Sequence, residues 1–482
     1  MAQPFASLSF GWPLTFVPLS SGGGRPAGDA LAEVPDDRKA WAVLAPPEAL
    51  AAPSFERMVR IWSENRPDVD LFYGDDAALG ETELARRLRL KPAFNLSLLA
   101  AQDYIGAPLI VRGSVLHQLG GVRGGMGEAG LYDLVLRAEA AGVVIDRIPH
   151  LLMAWPGLRP DAPVADRRRA LADWIGARPF EAADGLAPGT LQLRRRFEAF
   201  PDVTLVVPTR QSGPKEGGLP YVVELLDTLA ATDWPMERLS VLIGDDTDKE
   251  ESFPASRWPF QVRRMATPRA PGEAFNYAAK MNRLWRATSS EHLVLMNDDV
   301  KVRSPGWLKA LMTFAMEADV GGVGARLLFP DGRLQHAGMT AGLCGAAVAH
   351  LWHAQPGDRP TYQDWALVHR DWSIVTGAVF ATRRAALEAV NGFDERFTLE
   401  FNDVDLSLRL RLLNHRIVYT PFAELTHREM ASRGNALPAG EEVALFLNRW
   451  RAWLAEDPAY HPALSRDRLA PEPAEAADEF RA

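Results

Sequence analysis

The sequence predicts an α/β protein whose sheets are mostly parallel. Short apolar runs such as Val203-Thr204-Leu205-Val206-Val207-Pro208 and Leu239-Ser240-Val241-Leu242-Ile243 read as strands buried on both faces. Between them come amphipathic stretches of helical period, and this alternation is the βαβ pattern. A further run, His292-Leu293-Val294-Leu295-Met296, stops at Asn297-Asp298-Asp299, and strand ends of that kind face the crevice where open α/β sheets bind ligands.

Residues 1–40 are weakly patterned, with a proline-containing apolar start, Gly22-Gly23-Gly24 and Asp36-Asp37, and they support no element. From Trp41 the pattern sharpens. Ala42-Val43-Leu44 reads as a strand, and Ser54 is placed to cap a helix carrying Phe55, Met58, Ile61 and Trp62. Asp70-Leu71-Phe72-Tyr73 and the stretch 105–111 are strands. A helix then ends near Gly120-Gly121, another covers 132–141, and a strand follows over 143–148. Residues 41–155 thus form one unit. The proline-bearing stretch 156–200, with an arginine-rich helix over 167–175 and a Gly185 to Gly189 turn region, is a connector.

The second unit spans 201–455. After the strand ending at Pro208 come a helix through Val222, Leu225, Leu226 and Leu229, the strand that closes on Gly244-Asp245-Asp246, a helix over 275–287 and the strand into Asp298-Asp299. Its later part has a helix over 307–318 that Pro305 can start. A glycine-rich segment at Gly321-Gly322-Val323-Gly324 and an Asp331-Gly332 turn follow. A small-residue strand over 374–382 and a helix from about Leu406 to Leu413 come next. The last strand covers 415–419, with His427 beyond it. Residues 456–482 are a tail rich in Pro, Ala and acidic residues, with a mobile end expected.

Bulk properties narrow the function. At 482 residues the chain has room for two or three cores. A formal net charge of -9 gives no electrostatic case for a nucleic-acid partner. The single Cys344 excludes an intramolecular disulfide and a cysteine-based zinc cluster, and it suits a reducing cytoplasm. No charged-then-apolar leader opens the chain and no run reaches the length of a membrane span, so the expected location is cytoplasmic. Peripheral association with the inner face of the cell membrane, and a homodimer, are compatible with this.

Three separated groups carry the chemistry: Asp298-Asp299 at a strand end, Asp403 before a helix, and His427 after the final strand. Adjacent carboxylates repel, and a divalent ion with hard oxygen ligands is one compensator. Taken singly, an Asp-Asp pair more often marks a solvated turn, Asp403 a helix cap and His427 an ordinary histidine. Asp405 either caps the helix or holds Arg409. His336, His350 and His353 read as structural or acceptor-shaping residues.

The residues around these groups resemble family 2 glycosyltransferases. The resemblance is carried by Phe275-Asn276-Tyr277, Asn282, the acidic run Leu295-Met296-Asn297-Asp298-Asp299-Val300, and Pro305-Gly306-Trp307-Leu308. Pro330-Asp331-Gly332, Gln335-His336-Ala337-Gly338, Thr376-Gly377-Ala378 and Gly392-Phe393-Asp394-Glu395 extend it. Asn402-Asp403-Val404-Asp405 and Thr426-His427 with Ser432-Arg433-Gly434 complete it. It is similar above all to the branch of bacterial cell-surface polysaccharide assembly, with rhamnosyltransferase-like members. The resemblance implies a GT-A fold that uses Mg2+ or Mn2+ and a nucleotide-diphospho-sugar donor. Transfer is to a glycan or lipid-linked oligosaccharide acceptor, with inversion at the anomeric carbon. It implies that Pro208-Thr209, in the first loop, and Asp245 or Asp246 border base and ribose. Asn297 and Asp298 adjoin the donor, and Asp299 and His427 hold the metal. Asp403 is the general base, and Arg433 closes over the diphosphate.

The first unit resembles the same family more distantly, through Asp70 to Asp76, Gln102-Asp103-Tyr104-Ile105, Gly120-Gly121-Val122-Arg123 and Tyr132-Asp133-Leu134-Val135-Leu136-Arg137. Ala45-Pro46-Pro47-Glu48 stands where the acidic motif would be, Leu131 where the base would be, and Ala154-Trp155 in place of His-Trp. The short stretch before Trp41 leaves little room for opening strands. These departures imply a partial, degenerate GT-A-like domain without transfer chemistry. Two other classes compete for the whole chain. A non-catalytic glycan-binding scaffold would bind glycan without nucleotide. A nucleotidyltransferase would need a glycine-rich basic loop after Pro208, which is lacking.

Overall fold

The computed structural model describes residues 3–8, 10, 13–19, 31–83, 87–159, 161–214, 216–247, 253–254, 256–269, 272, 274–428 and 440–474. Two curled sheets with helices packed on them account for most of these residues. The first sheet contains β1 (Leu14–Pro18), β2 (Trp41–Ala45), β3 (Leu50–Ala51), β4 (Leu71–Ala78), β5 (Leu109–Arg112) and, after helix α1 (Gly130–Ala140), β6 (Ile145–Trp155). Helix α2 (Val164–Ile175) and a hairpin of Phe180–Asp184 with Leu191–Arg195 follow. The second sheet has β7 (Val203–Thr209), helix α3 (Tyr221–Leu229), β8 (Leu239–Asp245), β9 (Gln261–Ala266), helix α4 (Tyr277–Arg286), β10 (His292–Met296), β11 (Val300–Val302), helix α5 (Trp307–Ala315), β12 (Val320–Leu328), β13 (Val379–Arg383), helix α6 (Asn402–Leu412) and β14 (Arg416–His427).

The two sheets repeat one another. Across the first the order is β1-β2-β5-β4-β6-β3, and across the second β7-β10-β13-β12-β14-β11. Directions match as well: β1 with β2 and β7 with β10 are parallel, β2 with β5 and β10 with β13 antiparallel, β4 with β6 and β12 with β14 parallel. Strands β8 and β9 extend the second sheet beyond β7; among the described residues the first sheet has no counterpart for them. A helix clasp repeats too. On α6, Arg409 donates to Asp405 and to the carbonyls of Val390 and Gly392. On α1, Arg137 donates to Asp133 and to the carbonyls of Leu119 and Gly121.

Several boundaries differ from the sequence reading, each for a local reason. The weakly patterned start supplies β1, parallel to β2, so an opening strand does precede Trp41. The glycine-rich segment is the long strand β12. Its glycines admit neighbouring side chains: a Cβ on Gly322 would lie 2.2 Å from Phe380 Cζ, and one on Gly324 would lie 2.6 Å from Val375 Cβ. Gly322→Ala is therefore expected to destabilise the fold by about 1–3 kcal/mol through overpacking, read from a denaturant midpoint. The stretch 374–378 is a turn, with the strand starting at Val379. The last strand continues through irregular register to His427, which is its final residue.

Buried polar contacts join the two units. Asn95 Nδ2 donates to Asp371 O at 2.8 Å, and Asp371 N returns a bond to Asn95 Oδ1. Tyr362 Oη donates to Leu88 O and accepts from Leu90 N. The C-terminal stretch, read from composition as a tail, is packed as far as it is described. Asp457 is fully buried and accepts from Thr340, Ser373 and Ala341, and His461 Nε2 lies 2.8 Å from Asp75 Oδ2 in the first sheet. No helix among the described residues is long and apolar enough to cross a membrane.

Candidate functional site

The site forms where β7, β8 and β10 end side by side. Residues 293–296 are wholly buried, so β10 must stop where its first carboxylates appear. Just beyond it, Asn297 N donates to Ala378 O at 3.0 Å. One residue earlier in the same turn, Gly377 N donates to Asp403 Oδ2 at 2.6 Å. The Thr376-Gly377-Ala378 turn thus holds the acidic motif on one side and Asp403, at the start of α6, on the other. Gly377 is required there because a Cβ would lie 2.9 Å from Asp403 Cβ.

His427 reaches the same place from β14, where it pairs with Val300 of β11. Its Nε2 lies 3.1 Å from Asp299 Oδ1 and 3.3 Å from Asn297 Nδ2. Its Nδ1 is 2.7 Å from Gln335 Oε1, which fixes the proton on Nδ1 and turns the Nε2 lone pair toward Asp299. Two electron-pair donors so close need a shared proton or cation between them. Cis ligands of an octahedral Mg2+ or Mn2+, at roughly 2.1 Å each, sit about 3.0 Å apart. The pair therefore fits such an ion, with Gln335 as the group that orients the imidazole. Among the described residues no set of three or more His, Cys, Asp or Glu side chains could hold a metal, so other ligands would complete the shell.

The remaining predicted residues take distinct positions. Thr209 is the last residue of β7 and not part of the loop. Its hydroxyl donates inward to Asp298 Oδ2 at 2.6 Å. Burial pushes the Asp298 carboxyl up to about 6, opposed by the Thr209 hydrogen bond and reinforced by the Asp299 charge. Pro208 pairs with Gly244 within the sheet. Asp245 is fully buried; burial raises its pKa, yet bonds from Arg264, Thr247 and Gln211 hold it below the ordinary carboxylate range. Asp246 accepts from Lys280 at 2.7 Å and Thr267 at 2.8 Å. Arg433 lies outside the described residues. His336 is buried, its Nδ1 3.1 Å from that of His350, and burial lowers its pKa well below the usual value. Asp405 holds Arg409 and Arg449.

Sequence reasoning assigned no role to Lys280, Gln335 or Gly377. Lys280 projects from α4 to bind Thr209 O and Asp246, one helical turn after the Asn276 cap. The Gln335-His336 motif was visible as a resemblance, but nothing local shows that Gln335 reaches a histidine 92 residues away.

The model of the glycosyltransferase-like family 2 matches residues 201–450, just over half of the chain. The chain belongs to glycosyltransferase family 2. The family 2 match coincides with the second sheet, the GT-A half of this α/β protein. O-antigen biosynthesis protein RfbC of Myxococcus xanthus is 32% identical over 421 residues, covering 83% of this glycosyltransferase and 32% of RfbC. The chain thus spans about a third of that relative's length. The N-acetylglucosaminyl-diphospho-decaprenol L-rhamnosyltransferase of Mycobacterium tuberculosis is 27% identical over 244 residues, 45% of this chain and 74% of the relative. Among solved structures, the mannosyltransferase PcManGT from Pyrobaculum calidifontis in complex with GDP-Man and Mn2+ is similar over 63% of this chain and 69% of its own. That match has 16% identity and a TM-score of 0.34.

Proposed function

We propose that the second unit catalyses metal-dependent, inverting transfer of a sugar from a nucleoside-diphosphate donor to a glycan or lipid-linked glycan acceptor in surface polysaccharide synthesis. The observation that carries this is the shared Thr376-Gly377-Ala378 turn, which binds Asn297 beside the Asp299–His427 pair and also binds Asp403. A metal-holding pair and a carboxylate are thereby set on two sides of one turn. The acceptor class follows the printed names of the relatives, one an O-antigen biosynthesis protein and another a rhamnosyltransferase acting on a lipid-linked diphospho-sugar.

Bound at Asp299 and His427, Mg2+ or Mn2+ supplies positive charge to a diphosphate leaving group. The protein's residues do the rest. Asp403, half-buried and held by Gly377 N on one oxygen, takes the proton from the acceptor hydroxyl as that oxygen attacks the anomeric carbon. One displacement inverts the centre, so no protein nucleophile is required. Asp246 and Lys280 line the base and ribose side; Asp245 braces that wall from within. Arg433 would close over the diphosphate. The protein works in the cytoplasm, at the membrane face where a lipid-linked acceptor is presented.

Gln335→Leu leaves the ligands in place and frees the imidazole. Affinity for Mn2+ in the presence of UDP is expected to fall about 10–100-fold, as measured by calorimetry. The transfer reading is tested by incubating the chain with a panel of UDP, dTDP and GDP sugars and Mn2+ and assaying nucleoside-diphosphate release. Release of inorganic diphosphate would instead indicate nucleotidyl transfer, and glycan binding without nucleotide binding would indicate a scaffold.

A further inference from the structure

A cavity of about 640 Å3 lies between the first unit and the connector, within the range of small-ligand sites, about 300–1,000 Å3. Its place in the repeated fold is that of the catalytic centre. It is lined by Pro46 and Glu48, which follow β2 as the acidic motif follows β10. Leu131 also lines it, two residues before the Asp133 clasp, as Asp403 precedes Asp405. Gly106 and Ala107 stand three and two residues before β5, where Gly377 and Ala378 stand against the β10 register. Ala154 pairs with Leu50 as His427 pairs with Val300.

The chemistry of this cavity is no longer that of a nucleotide site. Pro46 and Pro47 offer no N–H to a phosphate, and Ala154 offers no metal ligand. The arginines along the wall are engaged elsewhere: Arg89 and Arg159 both hold the buried Asp76, at 2.8 and 2.5 Å, and Arg167 donates to the carbonyls of Ala162 and Gly189. Glu48, Glu128 and Asp161 are exposed around the opening, so a diphosphate would meet like charge.

What remains suits hydroxyl groups. Asp103 and Asp364 supply half-buried carboxylates, and Tyr104 and Trp155 supply aromatic wall. Trp155 is 8% exposed and its indole N–H has no partner among the described residues, a donor that burial leaves unsatisfied. Gln363 and Asp364 come from the second unit and enter this wall with φ of 49° and 56°, a conformation that costs non-glycine residues free energy and clusters at ligand clamps.

We propose that this cavity is a binding subsite for a neutral saccharide. Its role is to hold the acceptor glycan, an assignment that rests on the transfer reaction proposed above, whereas the binding itself does not. The Asp103 and Asp364 carboxylates accept from the sugar hydroxyls, and the exposed edge of Trp155 covers part of the C–H surface.

The test is calorimetric titration of the full chain, without donor, with a neutral 6-deoxyhexose trisaccharide and a neutral hexose trisaccharide, and separately with UDP plus Mn2+. One trisaccharide is expected to bind. Leu131→Trp, filling the half-exposed position at the cavity wall, weakens it by roughly tenfold or more, and Glu48→Ala at the rim by about two- to threefold, with UDP affinity unchanged in both. The proposal is overturned if neither trisaccharide binds the parent chain, if both variants bind it as the parent does, or if Leu131→Trp reduces UDP affinity instead. Failure of the transfer reading shows separately, as turnover that survives Asp403→Asn, and leaves these titrations as they are.

Discussion

Asp403→Asn is expected to lower turnover roughly 10³-fold while leaving affinity for the sugar nucleotide within about twofold. Removal of a positioned general base costs on the order of 10²–10⁴ in rate, and 10³ corresponds to about 4 kcal/mol of barrier. The substitution keeps the shape and one oxygen, which can still accept from Gly377 N, while the amide NH2 replaces the oxygen that accepts from Val404 N. A melting temperature within roughly 2–4 °C of the parent's, with turnover reduced and nucleotide titration intact, is the expected pattern. Retained transfer in a folded variant would remove Asp403 from the mechanism.

His427→Ala is the second large effect. Nε2 is one of two protein donors facing each other at 3.1 Å, and without it Asp299 alone faces an incoming ion. Mn2+-dependent binding of UDP is expected to fall by about two orders of magnitude or more, beyond the range for loss of an orienting partner. The fold should hold, because β14 is secured along its length by β12 and loses only a terminal side chain. UDP affinity that is indifferent to chelator in the parent chain, or unchanged in the variant, would contradict the metal assignment.

The parts that were legible in the sequence are those whose signal is local. Val203, Leu205, Val206 and Val207 are completely buried, and a strand buried on both faces is an unbroken apolar run. Asp405 was read as a cap or an Arg409 partner, and the second holds. Illegible features depend on what lies across space. Strand β12 was visible only as a glycine-rich segment because Gly322 and Gly324 carry no side chains; Phe380 and Val375 occupy their space. Residues 374–378 looked like a strand, yet Gly377 and Ala378 direct their backbone groups to Asp403 and Asn297. Composition made residues 456–482 look like a tail, but long-range bonds from Thr340, Ala341 and Ser373 to Asp457 and the approach of His461 to Asp75 pack its first part; its expected mobile end lies outside the described residues. Thr209 was expected in the first loop, whereas it ends β7 and its hydroxyl donates to Asp298, a contact that a one-dimensional pattern cannot reveal.

The arginine clasp that recurs at Arg137 and Arg409 has a consequence for protein engineering. A helix anchored this way keeps its first turn in position whatever residue that turn presents, so one copy could exchange its reactive groups without losing its shape. Reversal is not symmetrical. Installing an acid at Leu131 alone would add a charge to a wall that already carries Glu48 and Asp103 and whose arginines are held by Asp76 and by backbone carbonyls. Giving the first unit the acidic motif and histidine of the second would require simultaneous replacement at Pro46, Pro47 and Ala154, together with a wall equivalent to β8 and β9.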